Sequence, residues 1–194
     1  MNPLLALSGS PSPVSRTALL VEHAIARLSA TGYDAEHLAI RDLPAGELLA
    51  GRTEAPELRT AVGRVTAADG LIVATPVYKA SYSGLLKSFL DLLPQAALSG
   101  KTVLPLVTGG SLAHVLAIDY ALRPVLAALD ARHVVNGCFL LDSSIERRPD
   151  GTARLAPEAE LRLFGAVDAF VDSLPLGTAA LDGTAFDGTA TSLR

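Results

Sequence analysis

The chain has 194 residues, 49% of them hydrophobic and 19% charged, with a formal net charge of −4. That length suits one domain with a sizeable core, and the composition argues against disorder over most of it. Mild acidity, with no basic run or basic–aromatic patch, argues against nucleic acid as a partner.

A single cysteine, Cys138, excludes an intrachain disulfide and a cysteine metal cluster. The first eight residues lack a basic region and are too short for a signal segment. No apolar run approaches the length of a membrane span, so a cytoplasmic protein is expected.

In chain order, residues 3–7 form a short apolar run stopped by Ser8-Gly9-Ser10-Pro11. Residues 17–28 carry Leu20, Ala24 and Leu28 at helical spacing, and Gly32 sits where a helix stop belongs. Residues 33–40 alternate enough for a second strand, and residues 41–53 read as irregular. Pro56 opens a helix over residues 57–68. Residues 70–74 predict a buried third strand and residues 85–93 a third helix. A fourth strand over residues 102–107 contains Pro105, which argues against a central position. A helix over about 113–129, a fifth strand over 134–141 and a last helix over 157–174 follow. Residues 175–194 turn to Gly, Thr, Ala and Asp and are expected to form a flexible tail.

Strands alternating with helices imply a parallel sheet covered on both faces, with right-handed crossovers. Five strands predict an α/β/α sandwich in the flavodoxin-like order 2-1-3-4-5, with ligand loops at the carboxyl ends of strands one, three and four.

The first of these loops, residues 8–17, places Ser8, Ser10, Ser15, Arg16 and Thr17 just before a helix N-terminus. Unpaired N–H groups, hydroxyls and one guanidinium suit a phosphate. The plain alternative is that Ser15 only caps the helix. The dinucleotide glycine pattern is absent, and Gly100-Lys101-Thr102 lacks the earlier glycine of a nucleotide-binding loop, since position 95 is Gln95. The second loop offers Pro76, Val77, Tyr78 and Lys79, a surface for a flat ligand or else a capped turn with exposed tyrosines. The third, Thr108-Gly109-Gly110-Ser111, has no bulky side chain and suits close backbone approach; the alternative is a hinge. His114 starts the next helix beside that glycine pair and is a candidate pocket residue, although plain structure is the commoner role at such a place. His23, His37 and His133 are scattered and form no metal constellation. Together the loops fit a mononucleotide with a large flat base.

The stretches Leu7-Ser8-Gly9-Ser10-Pro11 with Ser15-Arg16, residues 68–80 with Tyr82-Ser83-Gly84, and Thr108-Gly109-Gly110 resemble the NADPH-dependent FMN reductases of the flavodoxin-like superfamily. Ala113-His114, Asp119-Tyr120-Ala121-Leu122 and Pro124-Val125-Leu126 extend the likeness. Within that family the chain is most similar to the reductase component of two-component alkanesulfonate monooxygenase systems. The resemblance covers about residues 4–141 and fades beyond Asp142.

It implies that residues 1–174 form one FMN-binding reductase domain. It also implies that Ser8, Ser10, Ser15, Arg16 and Thr17 hold the FMN phosphate, with Pro76, Val77, Tyr78, Lys79, Thr108, Gly109 and Gly110 around the isoalloxazine. Ser111 and His114 complete the expected pocket. Tyr120 resembles the tyrosine that marks a π-helical turn at a subunit interface in the alkanesulfonate-linked reductases. NADPH as donor, a homo-oligomer (dimer or tetramer) and a flavin-dependent monooxygenase partner in alkanesulfonate desulfonation are further implications. The rivals are a quinone or azo reductase with tightly bound FMN, and a non-catalytic flavodoxin-like electron carrier.

Overall fold

The computed structural model of the chain describes residues 3–175. All of the expected tail after residue 175 lies outside the described residues.

The first strand, β1 (Leu4–Ser8), is buried along its whole length, as a parallel strand covered on both faces must be. Ser15 caps helix α1 (Arg16–Ala30) by accepting a 3.0 Å hydrogen bond from Ala18 N. Gly32, at φ +86°, turns the chain after it. Strand β2 (Ala35–Ala39) leads into a single 3-10 turn, Ile40–Asp42. The stretch expected to be irregular holds a short helix, α2 (Ala45–Leu49). Helix α3 (Pro56–Ala67) starts on its proline as expected.

Strand β3 (Gly70–Tyr78) runs four residues past its predicted end and hairpins into β4 (Ser81–Tyr82) before helix α4 (Gly84–Leu90). Strand β5 (Thr102–Gly109) is followed by a 3-10 turn at Leu112–His114, a π-helical segment at Ile118–Leu122 and helix α5 (Arg123–Ala128). The chain continues through β6 (His133–Val134), β7 (Cys138–Leu141), the hairpin β8 (Ile145–Arg147) and β9 (Ala153–Leu155), and helix α6 (Pro157–Asp172).

The sheet runs β2-β1-β3-β5, with β6 and β7 both on the outer side of β5, and these pairings are parallel. In sequence order this is 2-1-3-4-5, the flavodoxin-like arrangement. Strand alternation divides the core into two layers. Leu5, Leu7, Leu71, Val73, Val103 and Val107 face α3, α4 and α5. Leu4, Ala6, Ile72, Ala74, Leu104 and Leu106 face α1 and α6.

Three departures from the sequence expectations have physical causes. Pro105 sits in a central strand, paired in register with Val73. The carbonyl of Val103 accepts from Val135 N at 3.0 Å, so alternate backbone groups of β5, including the site of the missing proline N–H, face the fifth strand. There the expected single strand 134–141 breaks into β6 and β7, and no ladder donor is demanded of Pro105.

The helix expected over 113–129 is interrupted by a π turn at Tyr120, where the resemblance implied one: Pro124 has no N–H, and its ring crowds the carbonyl of Tyr120 four residues back. A wider π turn absorbs this. Arg123 then bonds the carbonyls of Val134 (3.0 Å) and Val135 (2.9 Å) beside the break in the fifth strand. Finally, residues 145–155 form a hairpin that the sequence reading did not anticipate. It is held by Ile145, Ala153 and Leu155 buried against the α1–α6 layer.

Candidate functional site

Carboxyl ends of β1, β3 and β5 lie side by side, so the loops that follow them meet at one edge of the sheet. Gly9 N donates to Ala74 O at 2.8 Å, which carries the first loop across to the end of β3. Ser83 locks the two loops together. Its hydroxyl donates to Gly9 O and accepts from Leu86 N at 3.0 Å as the cap of α4, while its own N–H donates to Thr75 Oγ1 at 3.0 Å. Thr17 and Thr108 share a buried 2.8 Å hydrogen bond that joins the start of α1 to β5.

The first loop is a chain of local hydroxyl turns. Ser10 Oγ accepts from Ser12 N (3.3 Å), Ser12 Oγ from Val14 N (3.2 Å) and Ser15 Oγ from Ala18 N (3.0 Å). Each of these oxygens acts as an acceptor, so each hydroxyl hydrogen is left to donate outward. Arg41, at the end of β2, ties the loop down from the side with Nη1 to Ser12 O at 2.6 Å. Arg16 Nε donates to Ile145 O at 3.4 Å, and among the described residues its two terminal amino groups have no partner, which leaves them for a ligand.

A cleft of about 130 Å³ is the result. From the expected residues it gathers Ser10, Ser15, Arg16 and Thr17 of the first loop, Pro76, Val77 and Tyr78 of β3, and Thr108 of β5. Three further residues line it: Ser12, Val14 and Asp142. Ser12 and Val14 lie within the loop that was singled out. Asp142 comes from the end of β7, whose register beside β5 no local pattern reveals.

Other expected residues stand elsewhere. Ser8 is buried, with its hydroxyl 2.9 Å from His37 Nε2, so it supports the loop from beneath and does not line the cleft. Burial pushes the His37 imidazole below its usual pKa, with Arg41 adding to that and Glu22 and Asp42 opposing it. Gly109 is small for packing reasons: a Cβ there would stand 3.0 Å from Cζ of Phe139. Gly110 opens toward Asp142, whose Oδ2 would lie 4.0 Å from such a Cβ. Ser111 caps the 3-10 turn by accepting from Ala113 N at 3.2 Å. His114 is half-buried in that turn, and its buried Nδ1 has no hydrogen-bond partner among the described residues.

Pro76, Val77 and Tyr78 belong to strand, not to a loop as expected, and the turn itself is Lys79-Ala80. Both turn residues are left-handed, at φ 50° and 64°, as a two-residue hairpin turn requires. Lys79 therefore stands at the tip, outside the cleft lining, and Tyr78 lies half open to solvent beside it. Tyr120 projects from the π segment and is 79% exposed.

The donor set fits a phosphate: three outward hydroxyls and a guanidinium at the N-terminus of a fifteen-residue helix. The cleft is smaller than the roughly 300 Å³ and upward of pockets that enclose a whole ligand. It therefore suits the polar end of an elongated one, with the flat part over Val77, Tyr78 and the glycine pair. A larger hollow of about 350 Å³ between β2 and α3, lined by Leu38, Asp42, Pro56 and Arg64 among others, includes none of these residues.

Residues 3–146 match the model of a protein family described as NADPH-dependent FMN reductase. The chain is 45% identical over 174 residues to "FMN reductase (NADPH)" of Escherichia coli (strain K12), covering 88% of this chain and 89% of that one. It is 46% identical over 169 residues to the Pseudomonas putida protein of the same description, covering 86% and 85%. These alignments are longer than residues 4–141, so the likeness carries further than the motifs suggested. Among solved structures, an NADH:FMN oxidoreductase (EMOB) in its apo form has a TM-score of 0.82 at 46% identity, covering 90% of this chain and 91% of that one. A family model across three quarters of the sequence, with relatives of this identity, means that the chain belongs to the NADPH-dependent FMN reductase family.

Proposed function

We propose that this protein is an NADPH-dependent FMN reductase that treats FMN as an exchangeable substrate and supplies reduced FMN to a flavin-dependent monooxygenase, of the alkanesulfonate-desulfonating type. The observation that carries the reading is the cleft's donor set: outward hydroxyls of Ser10, Ser12 and Ser15 with the free end of Arg16. Bound flavin supplies the redox chemistry, accepting hydride from the nicotinamide of NADPH.

The residues of this chain do the positioning. The first loop and Thr17 hold the phosphate. Pro76, Val77 and Tyr78 offer one wall to the ring, and Thr108, Gly109 and Gly110 the other. Lys79 overhangs from the turn, and Ser111 and His114 border the far side. In this reading Ser8 acts through His37 and the loop. No side chain is asked to serve as acid, base or nucleophile.

We further propose one FMN-binding domain over residues 1–174, a homo-oligomer (dimer or tetramer) and a cytoplasmic location. Leu112 (61% exposed), Val115, Leu116 and Tyr120 form an open apolar stretch around the π segment, which supports self-association. Among the described residues no helix is long and apolar enough to cross a membrane.

Steady-state oxidation of NADPH and of NADH at varied FMN tests the core of this. The purified protein should be colourless, should oxidise NADPH only when FMN is added, and should show saturation in both substrates. A yellow protein that reduces quinone or azo dye without added flavin would establish the tightly bound alternative. No oxidation under either condition would point to a carrier.

A further inference from the structure

The cleft that turns hydroxyls and Arg16 toward an anion also contains a carboxylate, Asp142. Asp142 opens the 3-10 turn Asp142–Ser144 after β7, and its carbonyl accepts from Ile145 N. Arg16 Nε bonds the carbonyl of the same Ile145, so one short turn helps to bring both residues to the lining of the cleft. They do not pair. Among the described residues the Asp142 carboxylate has neither a hydrogen bond nor an ion pair, whereas Asp91, Asp119, Asp130 and Asp168 each hold a cation.

Among the described residues lining the cleft, Arg16 and Asp142 are the only charged side chains, so their formal charges cancel. A phosphate dianion entering there meets well-placed donors and the partial positive charge of the α1 N-terminus, but no net formal charge from the side chains of the walls. A second cation would strengthen the hold on a phosphate; this cleft instead sets an unpaired carboxylate against its single arginine.

We propose that Asp142 is the residue that keeps FMN exchangeable: it offsets Arg16, so that phosphate is recognised by hydrogen-bond geometry and not retained by net charge. The proposal rests on the reading of the cleft as the FMN phosphate site. Asp142 sets the strength of binding, and removing its charge strengthens the hold on FMN.

Titration of the full chain with FMN and with riboflavin, followed by quenching of flavin fluorescence, tests this in wild type, Asp142→Asn and Asp142→Ser. Both variants should bind FMN about five- to tenfold more tightly than wild type at low salt, as expected for a like charge at a partly solvated distance. Riboflavin, which has no phosphate, should change less than about twofold by the same argument. The gain for FMN should shrink at about 1 M salt, where the screening length is about 3 Å. Weaker binding of FMN and riboflavin alike would mean that Asp142 accepts from the ribityl hydroxyls, and would overturn the proposal. Unchanged FMN affinity in both variants would overturn it as well. If the wild type binds FMN no more tightly than riboflavin, the phosphate reading fails first and the proposal falls with it.

Discussion

A methyl group at Gly9 would stand 2.6 Å from Cβ of Leu86, closer than packed carbons come, and both atoms are fixed to backbone. The loop therefore reaches α4 only because this residue has no side chain. Gly9→Ala should cost about 1–3 kcal/mol through overpacking. The effect should appear as a lower urea midpoint with an unchanged slope, and as weaker FMN binding because the loop is pushed off its support. Ser10, Ser15 and Arg16 could be brought to one loop from the sequence because they crowd a helix start, although Ser15 also caps that helix, as the plain alternative had it. Asp142 was not legible: its place in the cleft depends on β7 lying beside β5, and no spacing within one segment encodes that. Ser8 misled for the opposite reason, since its partner His37 approaches from β2 across 29 residues of chain.

Among the elements, the β3–β4 hairpin is the one that sequence disguised. Two-residue turns of this hand favour Asn-Gly, and nothing in Tyr78-Lys79-Ala80-Ser81 announces one. Two non-glycine residues at positive φ store strain of about 1 kcal/mol or more each, which α4 packing and the Ser83 bonds hold in place. Ala80→Gly should relieve part of it, raising stability by about 0.5–1 kcal/mol in urea unfolding. A loss of stability would mean that the turn is not left-handed in solution. The first four buried strands, by contrast, were plain from their Leu, Val and Ile runs, and only their ends shifted. The π segment and the break in the fifth strand trace to Pro124 and Pro105, residues visible in sequence whose consequences depend on what each faces.

At the scale of the molecule, two helical layers sandwich the sheet, and α1 is fastened to α6 at its outer surface. Arg27 grips Asp168 with two hydrogen bonds, 2.9 and 2.8 Å, and stacks 5.2 Å above the Phe164 ring. The bond from Arg27 holds the Asp168 carboxyl below its usual pKa, against a smaller opposing effect of burial. A carboxyl whose pKa is lower folded than unfolded stabilises the protein above the unfolded value of about 3.9, and that contribution is lost as pH falls through the folded value. Because the pair is partly open to solvent, with side chains 33% and 43% exposed, Asp168→Asn should cost less than about 1 kcal/mol at neutral pH. The difference between variant and wild type should shrink on acidification below about pH 4, measured as the urea midpoint against pH. A difference that grows toward acid would contradict the sign. The layer order was predictable from alternation alone, whereas the β8–β9 hairpin that caps the α1–α6 layer was not, because three-residue strands leave almost no periodic trace.

The interruption opposite Pro105 reaches beyond the sheet's own hydrogen bonding. It leaves the outer margin of the fifth strand as pieces of two and four residues, and Arg123 already occupies the carbonyls of Val134, which ends the first piece, and of Val135 just after it. Strand margins invite aggregation when they offer a long, unbroken row of free N–H and C=O groups to another chain. Here no such row exists. The proline that weakens one ladder from within thus also guards this margin of the sheet against edge-to-edge growth.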